Sequence, residues 1–124
     1  MIKVGILTIS DKGARGERED KSGHILSSMI SQINGIVDAY EVIPDEKEII
    51  RGKLIDYADQ KRLDLILTTG GTGVSPRDVT PDATSEVIER EIPGMAEVMR
   101  IEGLKSTPFS IISRAVVGIR GGSL

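Results

Sequence analysis

The sequence predicts an α/β domain with a mostly parallel sheet covered by helices on both faces. Strand-like and helix-like patterns alternate along its 124 residues, as in chains of strand–helix–strand units. Leu65, Ile66 and Leu67 form a continuous apolar run, the mark of a strand buried on both faces. Gly70, Gly71 and Gly73 follow at once, where such a sheet lets its backbone approach a ligand.

Each element has its own signal. Ile2 to Ser10 is a short, mostly apolar strand, and the polar, glycine-bearing stretch Ser10 to Asp20 is a loop. Ile25, Leu26, Met29, Ile30 and Ile33 recur at helical spacing, with Gly35 as the stop. Ile36 to Ile43 returns to a strand pattern, which Pro44-Asp45-Glu46 breaks. Ile49, Ile50, Leu54, Tyr57 and Ala58 mark a second helix. After the glycine turn, Thr80 is placed to cap a helix whose first residue is Pro81. That helix carries Ala83, Val87 and Ile88 inward and ends at Ile92-Pro93-Gly94, and Met95 to Ile101 forms a short fourth helix. Ala115 to Ile119 reads as a strand and Gly121-Gly122 as a tight hairpin turn. Only Ser123 and Leu124 follow that turn, too few for a complete antiparallel ladder, so the chain is expected to lack a natural C-terminal segment.

Composition excludes several functions. The net charge of −3 gives no electrostatic case for nucleic acid or an anionic membrane. Phe109, Tyr40 and Tyr57 are the only aromatic residues, too few for a base-stacking platform. The absence of cysteine rules out disulfides and thiolate metal sites. There is no leader pattern and no apolar run long enough for a membrane span, so the expected location is the cytoplasm. A chain of this length fits one domain, 1–124.

The ligand of a doubly wound sheet sits beyond the carboxyl ends of the strands. Three loops meet there: Ser10-Asp11, Pro44-Asp45-Glu46 and Gly70 to Asp82, each with a carboxylate. Carboxylates beside a phosphate-binding turn point to Mg²⁺, and through it to phosphoryl or nucleotidyl transfer. Plain structural roles stand beside these readings. Asp11 suits loop stabilisation, Asp45 an N-cap and Asp82 the helix dipole. Arg77, Arg100 and Arg114 are candidate phosphate contacts, though an arginine is more often a solvated surface charge; Met95 and Met99 suit the core, and His24 a cap or surface position. Asp78, between the glycine turn and the helix start, has no such structural role.

Thr69-Gly-Gly-Thr-Gly73, followed by Arg77-Asp-Val-Thr-Pro-Asp-Ala-Thr84, resembles the signature of the molybdopterin adenylyltransferases of the Mog and MoaB type. Ile9-Ser-Asp11, Asp20-Lys-Ser-Gly23, Ile43-Pro-Asp-Glu46, Ile92-Pro-Gly94, Met99-Arg100 and Ser113-Arg114 fall in the family's order, so the likeness covers essentially the whole chain. The resemblance implies a three-layer αβα domain, assembled as a homotrimer or hexamer. It implies molybdenum cofactor biosynthesis: the terminal phosphate of molybdopterin attacks the α-phosphate of Mg-ATP, pyrophosphate leaves, and the product passes to a molybdenum-insertion protein. Asp45 and Asp78 match the family's two key aspartates and are the implied catalytic and metal-holding residues. Ser10, Asp11, Thr69, Gly70, Gly71, Thr72 and Gly73 are the implied nucleotide and phosphate contacts, and Glu97, Met99, Arg100 and Ser113 the pterin side. Members of the family continue with a Leu-Pro-Gly-x-Pro-Lys loop that this chain does not contain. That difference favours the alternative of a non-catalytic carrier or scaffold module for molybdopterin or a nucleotide.

Overall fold

The computed structural model describes every residue from Met1 to Leu124. Strands β1 (Ile2–Ile9), β2 (Gly35–Ile43) and β3 (Leu65–Thr69) form a parallel sheet in the order β2-β1-β3. The central strand is the most apolar: Val4, Ile6 and Leu7 are inaccessible to solvent and Ile9 nearly so. Strand alternation sends Leu7 and Ile9 to one face and Val4 and Ile6 to the other. On the first face, Ile50 and Leu54 of α3 (Lys47–Ile55) and Ala83 and Val87 of α4 (Thr80–Val87) complete the larger core with Tyr57 and Leu63. On the second, Ile30 and Leu26 pack against Val4 and Ile6. They come from α2 (Lys21–Met29) and the 3₁₀ turn Ile30–Ile33 that continues it. The result is the expected three-layer arrangement.

Several boundaries differ from the sequence expectations, each for a local reason. The loop after β1 contains a short helix, α1 (Asp11–Ala14), because Ser10 caps it by accepting a hydrogen bond from Gly13 N at 3.0 Å. Asn34, not Gly35, stops the second-face helix. It adopts the left-handed conformation (φ 55°, ψ 43°), which asparagine tolerates, and Gly35 already belongs to β2. Thr80 is the first residue of α4 rather than its cap, and its hydroxyl donates instead to Gly70 O at 3.0 Å. Pro93 begins a helix rather than ending one. Its fixed φ suits the first turn of α5 (Pro93–Gly103), while α4 stops at Val87.

The expected strand over Ala115 to Ile119 contracts to β5 (Gly118–Ile119), which pairs antiparallel with β4 (Arg90–Glu91). The Gly121-Gly122 turn does form, closed by Arg120 N to Ser123 O at 3.0 Å and Ser123 N to Arg120 O at 2.9 Å. The short returning segment finds its next partner elsewhere. Leu124 N donates to Asp64 O at 3.0 Å, and its carbonyl accepts from Ile66 N at 2.8 Å, the bracketing pattern of a parallel pair beside β3. β3 is half-buried along its whole length, less covered than its apolar run suggested. An apolar cavity of about 350 Å³ lies against it, lined by Leu65, Leu67, Val87, Met95, Met99 and Leu124 among others.

The two-sided core makes β1 the least replaceable strand. Leu7→Ala is expected to lower the unfolding free energy by about 2–5 kcal/mol, read from urea denaturation midpoints at constant slope.

Candidate active site

A polar cleft of about 730 Å³ opens at the carboxyl ends of the three strands. Its walls include Ser10, Asp45, Thr69, Gly70, Gly71 and Asp78, so the structure brings together much of the set read from sequence. The first two loops are held by a reciprocal pair of bonds. Asp11 N donates to Asp45 Oδ2 at 2.8 Å, and Asp45 N donates to Asp11 Oδ1 at 3.0 Å. Asp45 is therefore not the cap of α3. Glu46 occupies that position and makes no capping bond with its side chain.

Arg77 joins the third loop to this pair. Its Nε lies 3.1 Å from Asp11 Oδ2, and its Nη2 lies 2.9 Å from each Asp11 oxygen. The guanidinium, aided by the Asp45 N–H, holds the Asp11 carboxyl below its ordinary value of 3.8. Both oxygens of Asp11 are engaged within the protein, which makes this residue a fastener rather than a free ligand. Ser10 likewise uses its hydroxyl as a helix cap while lining the cleft.

The glycine turn adopts a shape that side chains resist. Gly70 and Gly71 have φ of +100° and +69°. Thr80 pins it through its hydroxyl bond to Gly70 O and through its N–H to Gly71 O at 3.2 Å. A β-carbon on Gly71 would stand 3.1 Å from Asp45 Oδ1, and one on Gly73 would stand 2.8 Å from Asp78 Oδ2. The turn thus lies directly against both carboxylates. The N–H groups of Gly71, Thr72 and Gly73 have no partner within the protein. Asp45 Oδ1 and Asp78 Oδ1 also accept no hydrogen bond; the second oxygen of Asp78 takes Ser75 N at 3.0 Å. Unpaired amides beside half-free carboxylates form a site for an anion and a hard cation together.

The remaining predicted residues separate. Thr72, Met99 and Ser113 line the apolar cavity, which shares Thr69 and Gly70 with the cleft. Ser113 Oγ and Thr72 Oγ1 are 3.4 Å apart. Met95 and Met99 border this cavity instead of filling the core. Arg100 is turned to the carbonyls of Ser113 and Ala115, at 3.3 and 3.0 Å, so it supports the Ser113 segment from behind. Glu97 is exposed on α5 and lines neither space. No group of three or more His, Asp or Glu side chains is arranged to hold a metal ion.

Against this geometry the comparisons are decisive. The family model described as "probable molybdopterin binding domain" matches residues 5–123. The chain belongs to this molybdopterin-binding family. It is 41% identical over 125 residues to the molybdopterin adenylyltransferase of Helicobacter pylori, covering 99% of this chain and 71% of that protein. It is 39% identical over 127 residues to the enzyme of the same name from Escherichia coli, covering 99% and 64%. Among solved structures, the molybdopterin biosynthesis enzyme MoaB of Thermus thermophilus superposes with a TM-score of 0.89 at 52% identity, covering 98% of this chain and 76% of that one. The tungsten cofactor synthesizing protein MoaB of Pyrococcus furiosus gives 0.85 at 36% identity, covering 97% and 74%.

Several residues to which the sequence assigns no specific contact are engaged around the site. Arg114 grips the third loop from outside, with Nε on Gly73 O at 2.9 Å and Nη2 on Asp78 O at 2.6 Å. Asp20 caps α2 through Gly23 N at 3.0 Å and also takes bonds from Thr8 Oγ1, at 2.8 Å, and the Tyr40 hydroxyl. Burial pushes the Asp20 carboxyl up, but these three donors outweigh it and hold it below 3.8. The spacing of Asp20 and Gly23 at a helix start was the available signal. Arg18, from the stretch read as polar loop, and Lys21, from the Asp20-Lys-Ser-Gly23 motif, line the cleft as well. His24 stacks at 5.9 Å from the Tyr40 ring and does not line the cleft.

The lowered Asp11 carboxyl fixes the sign of a pH effect. A carboxyl depressed in the fold contributes stability above its unfolded value, and that contribution fades as pH falls through the folded one. Arg77→Gln is therefore expected to lower the melting temperature at pH 7, and the difference from wild type is expected to shrink as pH falls through the carboxylate range. Thermal unfolding of both proteins across that range checks it.

Proposed function

We propose that this protein is a molybdopterin adenylyltransferase acting in molybdenum cofactor biosynthesis. The observation that carries the reading is the glycine turn laid against Asp45 and Asp78, with its amides unpaired and one oxygen of each carboxylate free. The names of the Helicobacter and Escherichia relatives support the same activity. In the reaction, an oxygen of the terminal phosphate of molybdopterin bonds to the α-phosphorus of ATP. The bond from that phosphorus to the bridging oxygen breaks, and pyrophosphate leaves with the electron pair.

The attacking phosphate is already anionic, so no protein base is required. What the protein supplies is position and charge. The amides of Gly71, Thr72 and Gly73 receive phosphate oxygens. Asp45 and Asp78 fit Mg²⁺, which prefers a few carboxylate oxygens completed by phosphates and, when bound, neutralises charge on the nucleotide. Asp11, Arg77 and Arg114 keep the two aspartates and the turn in register. The apolar cavity lined by Thr72, Met99 and Ser113 beside the turn is the space we assign to the pterin. The reading includes cytoplasmic location, delivery to a molybdenum-insertion protein and a homotrimer or hexamer. Exposed Val98, Ile101, Phe109 and Ile111 offer apolar surface for such an assembly.

Pyrophosphate release from Mg-ATP tests the proposal. Release is expected to require molybdopterin, and Asp45→Ala and Asp78→Ala are each expected to reduce kcat by about a hundredfold or more. Full turnover by Asp78→Asn would refute the assigned roles. Molybdopterin binding without pyrophosphate release would mark a carrier module instead.

A further inference from the structure

The cations around the cleft divide into those already engaged and those that are free. Arg77 is held by Asp11, Arg114 by the carbonyls of Gly73 and Asp78 and by Asp82, and Arg100 by the carbonyls of Ser113 and Ala115. Among the residues that line the cleft, only Arg18 and Lys21 are cationic. Neither pairs with any carboxylate. Both are exposed.

Their placement runs against what stability alone favours. Lys21 is the first residue of α2, where the helix dipole prefers an acidic side chain. A second cation, Arg18, stands on the same wall with Ser22 from the same helix start. The carboxylates facing them do not compensate. Asp20 is taken up by Thr8, Tyr40 and Gly23, and Asp45 and Asp78 lie against the glycine turn. Glu17, Glu19 and Asp20 are the acidic neighbours on their own segment: Glu17 pairs with Arg15, Asp20 is engaged as above, and exposed Glu19 is the one that lines the cleft without an ion-pair partner.

The cleft therefore offers two sets of anion-holding groups, the unpaired amides of the glycine turn and the Arg18–Lys21 pair, and a polyphosphate carries charged oxygens for both. We propose that Arg18 and Lys21 form the subsite for the β- and γ-phosphates of the nucleotide, and so for the pyrophosphate that leaves. This inference rests on the adenylyl-transfer reading and deepens it. When the bond between the α-phosphorus and its bridging oxygen breaks, the electron pair stays on that oxygen, and the added charge falls beside the two cations.

The test is calorimetric titration of the whole protein with inorganic pyrophosphate and with ATP in the presence of Mg²⁺, and with AMP as the control. Arg18→Gln and Lys21→Gln are each expected to weaken pyrophosphate binding about tenfold and to raise the KM for ATP similarly. AMP affinity is expected to match wild type and the melting temperature not to fall, and Arg18→Lys and Lys21→Arg to restore most of the loss. Wild-type affinity for pyrophosphate in both Gln variants overturns the subsite and leaves the adenylyl-transfer reading standing. A wild-type protein that binds neither pyrophosphate nor ATP overturns both. Equal losses for AMP and pyrophosphate overturn the subsite too, since they report a general change in the cleft.

Discussion

The paired hydrogen bonds between Asp11 and Asp45 are the constraint on which the site depends. Each residue offers its backbone N–H to the other's carboxylate, so neither loop moves without the other. The pair fixes the end of β1 to the end of β2, and Arg77 extends the link to the loop after β3. Because Asp45 uses one oxygen in this way, its other oxygen is aimed at the glycine turn rather than left to rotate. Charge-assisted bonds of this kind are short and directional, which suits a site that works by positioning.

The sheet makes this meeting possible. Three parallel strands end at one edge, and the most buried of them, β1, stands between the two whose loops it must join. The glycine turn completes the arrangement only because it carries no β-carbon where Asp45 and Asp78 lie. Thr80 pulls the turn down from one side and Arg114 holds it from the other. Each fastening leaves the turn's own amides unpaired, so rigidity and anion capture come from the same geometry.

Much of the fold was legible because strand and helix periods differ and glycine and proline punctuate them. β1, β2, β3 and the helices packed on them were read within a few residues. Errors fell where one residue type serves two purposes. Proline ends one helix pattern or begins the next, and Pro93 begins one. A threonine before proline reads as a cap, yet the hydroxyl of Thr80 is drawn to Gly70 O by tertiary contact. The apolar run of β3 reads as buried on both faces but is half-buried along its length. In the site, Asp45, Asp78 and the glycines were legible from motif and placement. Loop stabilisation by Asp11 was also legible, but its partners Asp45 and Arg77 and the grip of Arg114 were not, since each pairs with a residue distant in sequence. Glu97 came from resemblance alone and faces solvent, and Arg100, read as a surface charge and matched to the pterin side by resemblance, turns to backbone carbonyls.

A crystal structure of the protein with Mg²⁺ and a non-hydrolysable ATP analogue tests the central claim most directly. The account predicts the phosphates in the polar cleft, with oxygens on the amides of Gly71 to Gly73 and the metal on Asp45 and Asp78. Nucleotide phosphates bound elsewhere, or a metal that touches neither aspartate, would contradict it.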